Sequence, residues 1–90
     1  MLKIKPHHFQ TLNNKSWTLC KLERYEEALL LSEIALTMNH PKAEYIHTKG
    51  FILLKLKQYQ DAIKWFDKAL AIDPNHKASI KDRQLAVDSL

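Results

Sequence analysis

The feature that most constrains this chain is a repeat at a spacing of 34 residues. Tyr25, Ala28, Ala35 and Leu36 return as Tyr59, Ala62, Ala69 and Leu70, while Lys15, Leu19, Lys21 and Leu22 return as Lys49, Leu53, Lys55 and Leu56. A unit of this length is one supersecondary element that cannot bury its apolar face alone, so successive copies must stack and share a core. Such a stack grows in one dimension and presents a long shared surface, rarely a catalytic pocket. The period therefore points to binding before any single side chain is considered.

The units are helical. The chain has one glycine and three prolines, and its apolar residues recur at intervals of three and four, a helical spacing with no strand-like alternation. The fold class expected is all α. Leu12, Ser16, Leu19 and Leu22 share one helical face, and Ile46, Gly50, Leu53 and Leu56 share the same face one period later. Each set marks the first helix of a pair. Polar joints at Glu23-Arg24 and Lys57-Gln58 lead into second helices near Tyr25 and Tyr59, which carry Ala28, Leu31 and Ala35, then Ala62, Phe66 and Ala69, inward. Pro74 disfavours helix at Asp73 and ends the second pair. Pro41 acts one residue later than the period requires, leaving His40 in the proline's place. A fifth helix from Lys77 to about Ser89 should place Ile80, Gln84 and Val87 on the face used by Ile46, Gly50 and Leu53.

Residues 43–76 resemble the tetratricopeptide repeat: Gly50, Tyr59, Ala62, Phe66, Ala69 and Pro74 fall where that motif places its small, aromatic and proline residues. Residues 9–42 resemble a degenerate copy, which keeps Tyr25, Ala28 and Ala35 but has Ser16 for the glycine, Ser32 for the second-helix aromatic and His40 for the proline. Asn13-Asn14-Lys15 and the run from Arg24 to Leu29 resemble repeats of bacterial and archaeal arrays. The resemblance implies a right-handed superhelical α-solenoid of antiparallel helix pairs, with the first helices lining a concave groove. Ser16 and Gln84 at the glycine's equivalent sites are expected to loosen the packing. Residues 1–90 then form a single domain: 1–6 the tail of a preceding repeat, 9–42 and 43–76 two repeats, and 77–90 the first helix of a further repeat or a capping helix. An excerpt of a longer array is the simplest expectation.

Within that frame, Trp17, Phe51 and Leu85 form a ladder at one-period spacing along the groove. Cys20 and Leu54 form a second ladder one turn on, and Asn13, Lys21, His47, Lys55 and Lys81 supply polar and basic edges. An amphipathic helix or an extended apolar peptide of another protein suits such a surface, with the aromatics as anchors. The competing expectation is that these rings are core. Some members of the family grip a C-terminal carboxylate through lysine and asparagine on successive first helices. This chain has Asn13, Trp17, Thr48, Ala78 and Asp82 at those sites, which lack the paired cations a carboxylate needs.

Chemistry of other kinds finds little support. The single cysteine, Cys20, excludes an intrachain disulfide and fits a reduced, cytoplasmic setting. No run approaches the roughly 18 apolar residues of a membrane span, and no secretory leader opens the chain. The formal charge of +4 is spread along every segment and not gathered into a nucleic-acid footprint. Lys15, Lys49 and Arg83 form a basic column whose stems should cover apolar surface. His7, His8, His40 and His76 lie in equivalent turns about 10 Å apart, too far to share one ion. No phosphate loop, paired-carboxylate motif or zinc spacing occurs, so no cofactor, metal or catalysis is expected. The leading expectation is a protein-interaction scaffold. A second is a structural array that associates with copies of itself through terminal helices exposing Leu12, Leu19, Ile80 and Val87, and a third is an accessory domain of a larger enzyme or regulator.

Overall fold

Two turns set the architecture. In the computed structural model, which describes residues 6–38 and 41–90, Glu23 and Lys57 adopt left-handed backbone with φ of 63° and 64°. Each reverses the chain by the same pair of hydrogen bonds. Arg24 N–H donates to the Leu19 carbonyl at 2.9 Å and Glu23 N–H to that of Cys20 at 3.0 Å; one period later Gln58 reaches Leu53 at 2.9 Å and Lys57 reaches Leu54 at 3.0 Å. This is the Schellman closure, which satisfies the last carbonyls of a helix. Glycine usually fills the left-handed position, because a Cβ there is strained.

Between these turns run α1 (Pro6–Lys21), α2 (Tyr25–Ala35), α3 (Ala43–Lys55), α4 (Tyr59–Ile72) and α5 (Lys77–Asp88), with no strand among the described residues. The helix bounds keep the period: Tyr25 and Tyr59 open the second helices, and Lys21 and Lys55 close the first ones. Helix α1 packs on α2 and α3 on α4. The pairs join through α2 against α3 and α4 against α5, while α1, α3 and α5 also touch in succession. The chain is thus a helical solenoid with the first helices along one side. None of its described helices is long and apolar enough to cross a membrane. The tail expected at residues 1–5 and the substitution at His40 lie outside the described residues.

The second helices bury Ala28, Ser32 and Ala35 in α2, and Ala62, Phe66 and Ala69 in α4, all without exposed surface. Leu31, expected inward, is only half-buried, because Ser32 occupies the site equivalent to Phe66. This exchange explains Ser16. At Gly50, an added Cβ would lie 2.6 Å from Phe66 Cε1 and 2.8 Å from Cδ1. In the first pair the ring is absent, so a side chain fits opposite it. Ser16 is fully buried there and donates to the Ala28 carbonyl at 2.7 Å. The expected loosening is therefore offset by a coupled change across the helix pair.

Helix α5 departs from expectation. Ser79, Asp82 and Ala86 are its buried residues, whereas Ile80 is 49% and Val87 37% exposed and Gln84 lies in solvent bonding Asp88 at 2.9 Å. The face of Ile46, Gly50 and Leu53 packs on the second helix of its own pair. Among the described residues no such helix lies against α5, which instead docks through the side that meets the preceding pair. Leu22, expected inward, is 62% exposed because it sits in the turn after α1 ends. The basic column is largely taken up between pairs: Lys49 lies 3.6 Å from Glu33 and 4.2 Å from the Trp65 ring centroid, and Arg83 Nε donates to Asp67 at 2.6 Å.

Candidate partner-binding groove

The side formed by α1, α3 and α5 carries an aromatic floor. Trp17 and Phe51, one period apart, meet with ring centroids 4.8 Å apart and planes at 37°, inside the distance range of stabilising aromatic pairs. Both are half-buried, and Phe51 packs against the cluster of Cys20, Ala28 and Ile52. Lys55 Nζ stands 5.2 Å over the Phe51 ring. Leu85, the expected third rung, is 48% exposed on α5 and belongs to none of the buried clusters.

A cavity lies at each end of this floor. The one beside the turn into α5 has a volume of about 450 Å³ and is lined by Asn13, Asn14, Trp17, Glu44, His47, His76, Ala78, Lys81 and Asp82. The other, about 350 Å³, lies among Trp17, Lys21, Glu23, Tyr25, Phe51 and Lys55, with Cys20 in its wall. Both cavities carry groups of both signs, Glu44 and Asp82 with Lys81 in the first and Lys21 and Lys55 with Glu23 in the second. Lys21, Lys55 and Lys81 are exposed as edges, and Leu54 is half-buried against the cluster of Leu53, Ala62 and Phe66.

Three residues placed on the groove surface from the sequence are buried in its wall. Cys20 packs with Ala28 and Ile52, so the second ladder is broken on this side. Burial pushes its thiol pKa up, against the smaller opposing pull of Lys55, which leaves it a protonated packing group and not a nucleophile. His47 donates or accepts through Nε2 at 2.7 Å to Asp82 Oδ2, and the two side chains are only 6% and 11% exposed. Burial is the main cause lowering the His47 pKa, Asp82 opposes it through a hydrogen bond and its charge, and His76 adds a smaller push downward. A neutral imidazole beside an ionised carboxylate must carry its proton on Nε2, which makes His47 the donor.

This pair ties α3 to α5; its separation of 35 residues falls one off the 34-residue register, so the repeat pattern does not reveal it. His76 closes the arrangement from the turn. Its Nδ1 accepts the Ser79 backbone N–H at 3.3 Å and lies 2.7 Å from the Ser79 hydroxyl, capping α5, while its ring centroid is 5.4 Å from that of His47. The third buried residue, Asn13, has an Oδ1 that is shielded from solvent and has no hydrogen-bond partner. Glu44, His76 and Asp82 were not candidates from sequence, since only the folding of α5 and its preceding turn onto α3 brings them to Asn13. No group of three metal-ligating side chains occurs among the described residues.

Comparison with known proteins agrees with this architecture. The tetratricopeptide repeat pattern matches residues 43–76 and, in a second form, residues 9–39. An N-terminal acetyltransferase A complex auxiliary subunit from Arabidopsis thaliana is 31% identical over 85 residues, or 94% of this chain and 10% of that protein. An N-terminal acetyltransferase A complex subunit-like protein from Schizosaccharomyces pombe is 32% identical over 79 residues, 87% of this chain and 11% of its own length. The chain therefore spans about a tenth of the curated relatives it matches. No solved structure matches it significantly.

Proposed function

This chain belongs to the tetratricopeptide repeat family, whose repeats are protein-interaction scaffolds, and we propose that it holds a helix or extended segment of another protein in the groove of α1, α3 and α5. The observation that carries this reading is the half-buried Trp17–Phe51 stack with a cavity on either side. Aromatic residues in such a setting supply much of the energy of protein interfaces, because they remove large apolar area from water at small entropic cost. The relatives suggest the wider setting: a segment of a long auxiliary subunit that organises a complex and leaves the chemistry to another chain. A cytoplasmic location goes with that reading.

The test is a comparison of partners retained by the immobilised chain and by a Trp17→Ala/Phe51→Ala variant, followed by titration of the purified partner. Loss of the partner by at least about thirtyfold in affinity, the scale of a hot-spot residue worth 2 kcal/mol or more, with unchanged far-UV circular dichroism, supports the groove. Retention of the partner, or collapse of the helical signal, shows instead that the rings are core.

A second reading rests on a separate observation. Ile80 and Val87 are exposed on α5 at the positions where α3 turns Ile46 and Leu53 toward α4, and an apolar strip of this kind favours association with a further helix. The occupant in this reading is a second copy of the chain. Sedimentation equilibrium over a range of concentrations separates it from the first: a monomer throughout removes it.

A further inference from the structure

Helix α5 sits on α4 in the register in which α3 sits on α2. Arg83 meets Asp67 at 2.6 Å where, 34 residues earlier, Lys49 meets Glu33 at 3.6 Å. Ala86 packs in one cluster with Ala62 where Ile52 packs with Ala28, and the buried Ser79 and Asp82 stand at the places of Tyr45 and Thr48. With these contacts matched, the side of α5 that carries Ile80 and Val87 corresponds to the side of α3 that α4 covers. On α3 that side is closed: Leu53 clusters with Ala62 and Phe66, Ile46 clusters with Ala69, and both Ile46 and Leu53 are buried. On α5 the equivalent Ile80 and Val87 are exposed. Gln84 stands between them, one period after Gly50.

We propose that α5 receives one further antiparallel helix and that Gln84 selects its type, admitting a helix like α2 and rejecting one like α4. The two closed pairs supply the rule. Where α3 has no side chain at Gly50, α4 sets the Phe66 ring 2.6 Å from the place a Cβ would take. Where α1 has Ser16, α2 answers with the equally small Ser32, and the Ser16 hydroxyl donates to the Ala28 carbonyl at 2.7 Å. Gln84 brings a Cβ and a long stem to this joint, so an aromatic ring opposite it would overfill the space. The helix that fits carries an alanine against Val87, a small residue four positions on against Gln84, and a second alanine three positions later against Ile80. Ala28, Ser32 and Ala35 of α2 have that pattern, whereas α4 has the same two alanines around Phe66. The Gln84 amide, which donates to Asp88 at 2.9 Å, is a donor for a carbonyl of the incoming helix, the role of the Ser16 hydroxyl in the first pair. A second copy of the chain has no such alanine face to offer, because Ala28, Ala35, Ala62 and Ala69 are all without exposed surface. The inference does not rest on the groove reading, and it gives the strip of Ile80 and Val87 an occupant of defined pattern.

Two extended chains test this, one with residues 23–38 and one with residues 57–72 appended after Leu90, which is in register with Leu22 and Leu56. The first extension should add a helix to the far-UV circular dichroism and raise the thermal midpoint by about 5–10 °C, the scale of covering an apolar side chain in a small domain. The second should leave the midpoint unchanged. It should gain the rise when Phe66→Ala is made in the appended copy, or when Gln84→Gly is made in α5, so failure of the second extension alone does not carry the result. Ile80→Lys with Val87→Lys should abolish the rise while leaving the midpoint of the 90-residue chain in place, since substitutions in solvent cost little. An equal rise with both extensions, or no rescue by either substitution, overturns Gln84 as the selector. No rise with the first extension, or a 90-residue chain that sediments as a dimer until Ile80 and Val87 are replaced, overturns the helix as occupant. Partner binding at Trp17 and Phe51 is read separately, so the groove stands or falls by its own titration.

Discussion

The contact between Gly50 and Phe66 offers the sharpest test of the packing argument. In Gly50→Ala the new methyl would sit 2.6, 2.8 and 3.3 Å from Phe66 Cε1, Cδ1 and Cζ. The first two separations are shorter than carbon atoms tolerate, so the ring or the helix must shift. The ring has no free side to move into: Phe66 has no exposed surface, and its centroid lies 5.5 Å from that of His47. Overpacking of this kind costs about 1–3 kcal/mol. Alanine in place of glycine within a helix returns about 1 kcal/mol, so the net loss should be up to about 2 kcal/mol. For a domain of this size that is a fall of up to about 16 °C in Tm, read by circular dichroism. Phe66→Leu costs stability itself but removes the ring atoms, and Gly50→Ala should then become neutral or stabilising. The double-mutant cycle should give a coupling of about 1–2 kcal/mol in favour of the pair. A Gly50→Ala variant that melts above the parent, or a cycle with no coupling, would refute the reasoning.

Two further expectations concern the turns and the buried histidine. Lys57→Gly should raise stability by about 0.5–1 kcal/mol, because Lys57 holds a φ of 64° that glycine adopts without strain while losing more chain entropy; a lower thermal midpoint would show that the lysine side chain contributes more than its backbone costs. His47 is held below its free value of 6.5 by burial, so the unfolded chain binds the proton more readily. The His47 contribution is therefore complete above about pH 6.5 and declines as the pH falls through the window toward the folded pKa, by at most about 1.4 kcal/mol per pH unit. Urea midpoints at pH 7.5 and 5.5 should differ in that direction, and His47→Gln should flatten the dependence; an unchanged slope in the variant assigns the effect to other groups.

The coupling of positions 50 and 66 also clarifies why one repeat resembles its family more closely than the other. Ser16 and Ser32 depart from the pattern singly in the sequence, yet in the fold they face the same joint. Without the ring there is room for a hydroxyl, and the hydroxyl finds the Ala28 carbonyl at 2.7 Å. Two departures that each look damaging are one packing solution, and the α1–α2 pair is closed by a hydrogen bond where α3–α4 is closed by an aromatic ring.

The 34-residue period, with the three-and-four spacing of apolar residues inside it, determined the all-helical class, the pairing of helices and the positions of Tyr25, Tyr59, Ala28, Ala62, Ala35 and Ala69 in the joints, because these depend on contacts within one repeat and are written twice. It also brought Trp17 and Phe51 to the same face, since residues one period apart on stacked helices become neighbours. The tertiary structure decided what depends on contacts between different repeats. It buried Asn13, Cys20 and His47 in the groove wall, exposed Leu85, and turned Ile80 and Val87 outward, because the side of α5 that docks is the side facing the previous pair. The meeting of His47, His76 and Asp82 beside Asn13 has no counterpart in the repeat pattern. Those residues differ in type from their equivalents one period away, so the specificity of the groove comes from where the repeats differ, and only their stacking shows which differences face one another.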